Sequence, residues 1–91
     1  MKIYLENKRV VAKDGETELG EMTFMQPNAN SYIITHTGVS DAARGLGVGK
    51  KLVVYLVDLA RQNNQKILPI CPFAKAEFEK HPEYQDVLLE N

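Results

Sequence analysis

Arg44-Gly45-Leu46-Gly47-Val48-Gly49-Lys50 stands where the hydrophobic period of this chain changes. Downstream of it, Val48, Leu52, Tyr55, Leu56 and Leu59 recur at helical spacing, and Val53, Val57 and Ala60 widen the stripe. That pattern predicts an amphipathic helix over residues 47–63. Asn63-Asn64 supplies its end, because asparagine tolerates the left-handed cap conformation. Alternating glycines ahead of a helix let backbone come close to a ligand, since no Cβ blocks the approach. A helix N-terminus offers free N–H groups and partial positive charge, so the ligand expected there is an anion such as a pyrophosphate. Arg44, Lys50 and Lys51 add positive charge at the same place. Glycine spacing alone reads equally well as a flexible turn before a helix.

Upstream, the period is that of strands. Ile3 and Leu5 alternate with Tyr4 and Glu6, and Arg9-Val10-Val11-Ala12-Lys13 is β-prone. Asp14-Gly15 suits a type I′ hairpin turn, and the return strand runs over 18–25, with Gly20 as a bulge or close-approach point. Gln26-Pro27-Asn28-Ala29-Asn30 reads as a turn, and 31–39 as a further strand rich in β-branched residues. The result is an antiparallel meander. Beyond the helix, 66–71 is short and apolar enough for a buried strand. Strand, helix and strand then make a βαβ unit with a right-handed crossover and parallel pairing. Pro69 has no N–H for a ladder and belongs on an edge or beside a disrupted pairing. A short helix over 74–80 follows, stopped by Pro82. The fold class is α+β, in one domain spanning 1–91, without repeats or linkers.

Composition narrows the function. The chain has 91 residues, 44% hydrophobic and 25% charged, with a formal net charge of −1. That charge removes the electrostatic case for a nucleic-acid or anionic-membrane partner. No apolar run approaches the roughly 18 residues that span a bilayer, and the N-terminus reaches Glu6 too soon for a signal-peptide core. Cys71 is the one cysteine, which excludes an internal disulfide and a multi-cysteine zinc cage. A small cytoplasmic domain, monomeric or weakly homodimeric and without metal, is the expectation.

Two nucleotide-binding loops fail on particular positions. A Walker A loop needs glycine where Arg44 stands and serine or threonine where Lys51 stands. A Rossmann fingerprint begun at Gly45 needs its third glycine at Lys50, and no earlier βαβ half exists. The pattern that fits is Arg-x-x-Gly-x-Gly, carried by Arg44, Gly47 and Gly49. With Val39 five residues ahead of the arginine, this resembles the acetyl-coenzyme A loop of the GNAT acyltransferase superfamily. His36-Thr37-Gly38-Val39, Cys71-Pro72-Phe73 and His81-Pro82-Glu83-Tyr84 extend the resemblance to a small single-domain GNAT-like subfamily of about this length.

The resemblance implies a GNAT-like fold, acetyl-CoA as cosubstrate and transfer of an acetyl group to an amine, on a small molecule or a protein. The parallel strands splay apart and the pantetheine arm lies between them. Backbone groups of Thr37, Gly38 and Val39 pair with its amides. Arg44 and the N–H groups of Gly45, Leu46, Gly47, Val48, Gly49 and Lys50 hold the pyrophosphate, and Cys71, Pro72 and Phe73 line the other side. The chain also departs from larger relatives. Cys71 takes the place of their asparagine and Phe78 that of their proton-donating tyrosine, so the usual general acid is missing. The early helix pair that walls their acceptor site is missing too.

Cys71 and His36 are the candidate catalytic residues. Cys71 is either an inert small hydrophobe or a group at the thioester, as hydrogen-bond donor, proton donor or nucleophile. A helix start at Cys71 would lower its pKa. His36 is a structural histidine or a base, and strict alternation puts it on one strand face with Tyr32 and Ile34. His81 reads as a helix-end residue, Tyr84 as a packing residue or substitute acid, and Glu18 and Glu21 as equal candidates to activate the amine. Glu77, Glu79, Glu83, Asp86 and Glu90 read as a solvated acidic face. The rival function is a non-catalytic module that binds or senses CoA or acyl-CoA.

Overall fold

The periodic stripe of the central helix lands on one face of a five-stranded sheet. A computed structural model describes residues 1–89. Five strands, β1 (Lys2–Glu6), β2 (Arg9–Asp14), β3 (Thr17–Asn28), β4 (Ser31–Val39) and β5 (Lys66–Pro69), lie side by side in chain order. The first four pair antiparallel, and β5 pairs parallel to β4 after the crossover through α1 (Val48–Gln62). Helix α2 (Pro72–Lys80) and two 3₁₀ segments, Asp41–Ala43 and Pro82–Val87, complete the chain. Leu52, Val53, Leu56, Val57 and Ala60 of α1 are buried against Val10, Ala12, Met22, Phe24, Ile34 and Ile67 of the sheet. Each large side chain so buried contributes about 1.5–3 kcal/mol of transfer free energy. Ala74, Phe78, Tyr84 and Val87 join the same core. No helix among the described residues is long and apolar enough to cross a membrane.

The meander, the amphipathic helix and the parallel β5 agree with the sequence reading, and four local details differ. Asp14 pairs with Thr17, so the hairpin loop is Gly15-Glu16 and only Gly15, at φ 62°, has positive φ. A type I′ turn needs positive φ at both central residues, which Glu16 does not adopt; the signs are those of a II′ turn. Strand β3 runs on through Pro27 to Asn28, with a register shift there that accommodates the proline. The turn shrinks to Ala29-Asn30, where Asn28 Oδ1 accepts from Asn30 N (2.8 Å) and Ser31 Oγ (3.1 Å). Strand β5 stops at Pro69, and α2 starts at Pro72, because Pro72 fits the first helical position and Cys71 caps it. Pro82 ends α2 and at the same time opens the 3₁₀ segment.

The end of β5 creates the opening that matters. Its last rung joins Pro69 to Ile34, and the N–H groups of Ile70 and Cys71 both reach Ile34 O at 3.2 Å. Residues 35–39 of β4 continue with no β5 beside them. The strands part as expected, and Pro69 sits at the last rung, where the ladder ends.

Candidate active site

The two sides of this opening are set by a β-bulge. Phe24 pairs with Ile34 and Thr23 with His36, so Thr35 is an extra residue on β4. The extra residue reverses the alternation. Ile34 faces the helices beside Phe24, and Thr37 and Val39 face the helices too, opposite Met22 and Gly20. His36 and Gly38 turn to the bare face, opposite Thr23 and Glu21. The expectation that His36 shares a face with Tyr32 and Ile34 is thereby corrected: it is exposed on the opposite side. A Cβ on Gly38 would lie 3.1 Å from His36 Nε2, so the imidazole folds over the space that the glycine leaves. Gly20 is the close-approach point that the sequence suggested, for its Cβ would lie 2.9 Å from Gly38 O and 3.0 Å from Val48 Cγ1.

On the helix side, β4 leads into the glycine loop. Gly45 (φ 85°) and Gly47 (φ 72°) adopt left-handed backbone that other residues avoid, and nothing lies within 4 Å of either missing Cβ. Gly47 is the N-cap of α1, and the first helical bond runs from Lys51 N to Gly47 O (3.1 Å). The N–H groups of Val48, Gly49 and Lys50 are therefore outside the helical ladder. They open on a cleft of about 410 Å³ bordered by Val39, Arg44, Gly47, Lys50, Phe73 and Glu77. Arg44 is largely exposed and holds Asp41 at 3.1 Å. The third glycine differs from the other two. Gly49 has helical backbone, and its missing Cβ would lie 2.6 Å from Phe73 Cζ, so Phe73 fills that space.

Cys71 closes the opening from the α2 side. It is buried, at 5% exposure, and is the N-cap of α2, its Sγ accepting from Ala74 N at 3.4 Å. Its sulfur also stands 3.4 Å from Thr37 Oγ1. The helix start, expected at residue 74, thus lies at Cys71. Its pairing with the Thr37 side chain was missed, because strict alternation points Thr37 away from the helices. Only the bulge turns it toward them.

The remaining candidates separate. Arg9 donates to Glu21 (2.9 Å), Glu18 (3.1 Å) and Glu6 on the bare face. These hydrogen bonds, Glu6 first, raise the Arg9 guanidinium above its ordinary range, and Arg9 in turn holds the Glu6 carboxyl below its own. Glu18 and Glu21 are thus engaged with a cation. Glu77 corrects the acidic-face reading: its side chain is 4% exposed, facing Lys80 at 3.6 Å and His81 Nε2 at 3.7 Å. Asp86 pairs with Arg61 at 2.8 Å, and Glu90 lies outside the described residues. His81 ends α2 and stacks on Tyr84 at 5.0 Å, which itself packs on Phe78 at 5.5 Å. Burial pushes the Tyr84 hydroxyl above its ordinary value.

Comparison with known proteins meets this geometry. The family model described as GCN5-related N-acetyl-transferase matches residues 9–87. The NMR solution structure of a GCN5-like candidate N-acetyltransferase from Staphylococcus aureus is 42% identical, covers 99% of this chain and 89% of its own, and superposes with a TM-score of 0.79. A ribosomal-protein-alanine N-acetyltransferase from Brucella melitensis (18% identity, 91% of this chain, 62% of its own, TM-score 0.63) shares the fold. So does a Mycobacterium tuberculosis protein in complex with CoA (20%, 82%, 47%, 0.64). No curated protein matches the sequence. A sheet whose parallel strands part beside a glycine loop, together with a family match over nearly the whole chain, identifies the protein as a member of the GCN5-related N-acetyltransferases.

Proposed function

We propose that this chain binds acetyl-CoA in the cleft between the glycine loop and α2 and transfers the acetyl group to an amine. The observation that carries the proposal is the Cys71 sulfur, held at the N-cap of α2 and beside Thr37 Oγ1 where β4 and β5 separate. The residues present fit the cosubstrate. Three free N–H groups at the start of α1 and the cations Arg44 and Lys50 suit a diphosphate. The strand edge at Thr37, Gly38 and Val39 suits the amides of pantetheine. Acetyl-CoA supplies the activated thioester.

The protein's own groups then have distinct tasks. The Ala74 N–H and the Thr37 hydroxyl fix the Cys71 sulfur. In this reading its S–H gives a proton to the departing thiolate, the task for which Phe78, 2% exposed in the core, has no proton. His36, exposed on the bare face, is the base open to an incoming ammonium group. The acceptor is an amine on a small molecule or a protein, approaching a face that no helix among the described residues covers. One unit over 1–91, acting in the cytoplasm as a monomer or weak homodimer without nucleic acid or membrane, completes the reading. The rival, a CoA-binding or sensing module, is favoured by the buried Phe78 where a general acid is usual.

Cys71→Ala separates the two. In an enzyme, release of CoA with a panel of amines should fall about 100-fold or more while CoA affinity stays within about threefold. Cys71→Ser should fall between them if the sulfur is a hydrogen-bond or proton donor. If it is a nucleophile, serine should be nearly as poor as alanine, and mass spectrometry after mixing with acetyl-CoA should show one acetyl group on Cys71. Unchanged turnover in Cys71→Ala removes the sulfur from the mechanism. Absence of turnover in the wild-type protein, with CoA still binding, favours the sensing module.

A further inference from the structure

Gly49 is buried in the first turn of α1 with ordinary helical backbone, so no left-handed conformation demands a glycine there. A side chain there would have to displace the ring of Phe73, itself 38% exposed. A Cβ on Gly49 would stand 2.6 Å from Phe73 Cζ, 2.9 Å from Cε2 and 3.3 Å from Cε1, inside the roughly 3.5–4.0 Å at which carbon atoms rest. The tip of the ring occupies the place of the missing side chain. Phe73 is the second residue of α2, two beyond Cys71, and its ring bridges the start of α2 to the start of α1 along the cleft. The two contacts that fix Cys71 Sγ, to Ala74 N and Thr37 Oγ1, are both 3.4 Å.

We infer that the Phe73 ring, seated on Gly49, is a latch that fixes the first turn of α2, and with it the Cys71 sulfur, relative to the glycine loop. Position 49 is glycine on account of this ring and not of a bound phosphate. Phe73 is in this sense a positioning residue acting through Cys71. The inference rests on the reading that the cleft holds CoA, but the latch has a readout of its own. With one cysteine in the chain, alkylation by iodoacetamide reports Cys71 alone.

The test is a double-variant cycle. Gly49→Ala pushes the ring away, and is expected to speed alkylation and weaken CoA binding, measured by calorimetry, each by about fivefold or more. Leucine ends where the ring's Cδ atoms end. Adding Phe73→Leu to Gly49→Ala should therefore bring both quantities to within about twofold of Phe73→Leu alone. A further loss of CoA affinity, about fivefold or more, on adding Gly49→Ala to Phe73→Leu would mean that a phosphate requires the glycine, overturning the latch while the CoA reading stands. If wild-type protein gives no heat with CoA, that reading fails, and the alkylation rates decide the latch alone: additive effects of the two substitutions overturn it. If Gly49→Ala does not fold, recovery of folding in the double variant supports the latch, and failure of both overturns it.

Discussion

Gly47 caps α1 with φ 72° and ψ 26°, and nothing stands within 4 Å of its missing Cβ. Alanine at this position brings left-handed strain without collision. That strain is about 1–2 kcal/mol. In a domain of this size it should lower Tm by about 4–16 °C. Gly15 is the internal control, with φ 62° and equally open surroundings, but in the β2–β3 hairpin. Gly15→Ala should lower Tm by a similar amount. Asparagine tolerates the left-handed region, so Gly47→Asn should recover much of the loss. Ligand binding then separates the two sites. Valine at 47 places branched carbon against the open cleft, and CoA affinity should fall at least about tenfold, or 1.4 kcal/mol. Gly15→Val should bind CoA as the wild type does. Urea unfolding followed by circular dichroism gives the stabilities, and calorimetry at a temperature where every variant is folded gives the affinities. If Gly47→Asn is no more stable than Gly47→Ala, strain is not the reason for the glycine. If folded Gly47→Val binds CoA normally, the loop does not hold the cosubstrate.

Three further outcomes are expected. Asp86 is held below its ordinary carboxyl value by hydrogen bonds from Arg61 (2.8 and 2.9 Å), so its stabilising share is present above the unfolded pKa and is lost as pH falls through the lowered folded value. Urea midpoints taken downward from about pH 6 should show a shallower acid limb below about pH 4 in Asp86→Asn than in the wild type, and equal limbs would refute that pairing's part in acid sensitivity. Leu56 is fully buried, and Leu56→Ala should cost about 2–5 kcal/mol in the same unfolding assay, so a loss under about 1 kcal/mol would contradict the close packing of α1 on the sheet. Added salt should weaken CoA binding moderately, since Arg44 is 79% exposed, while DNA and RNA give no gel shift at physiological salt; a tight, sequence-selective shift would overturn the assignment of the loop's charge to CoA.

What could be read from the sequence is what local chemistry decides. Helix α1 carries its apolar stripe through four turns, and Asn64 does adopt the left-handed conformation (φ 55°) expected at its end. The short helix after β5 was legible, though its start at Pro72, capped by Cys71, lies two residues ahead of the expected one. The bulge was not. Ile33, Ile34 and Thr35 form an unbroken β-branched run with no glycine or proline to mark an extra residue, and the bulge exists only in the register of β3 against β4. Position 36 consequently appeared on the wrong face and position 37 lost its side-chain role. Glu77 misled for a similar reason: a carboxylate in an acidic tail reads as surface, and its burial depends on how α2 lies against the loop. Gly49 belonged to a recognisable loop pattern, and nothing in that pattern points to an aromatic ring 24 residues away.

The irregularities of β4 and β5 bear on the same few atoms. Without the extra residue at Thr35, Thr37 would face Glu21's side of the sheet and Cys71 would have no hydroxyl beside it. Without the turn into α2 at Cys71-Pro72, β5 could continue along β4, cover residues 35–39 and keep Cys71 in a strand instead of a helix cap. The chain forgoes several ladder bonds in this way, each worth about 0.5–1.5 kcal/mol net, and leaves a strand edge with donors and acceptors ready to pair. A slender ligand bearing amides at strand-like spacing can take the place of the missing strand, recovering those bonds, while its anionic end meets the free N–H groups of α1. The edge, the loop and the sulfur lie in sequence along one path, from Lys50 past Val39 to Thr37 and Cys71. A pantetheine thioester with a diphosphate at its far end satisfies all three at once. A free nucleotide would satisfy only the loop, so CoA should bind more tightly than its adenosine diphosphate portion alone. Equal affinities in calorimetry would show that the strand edge contributes nothing.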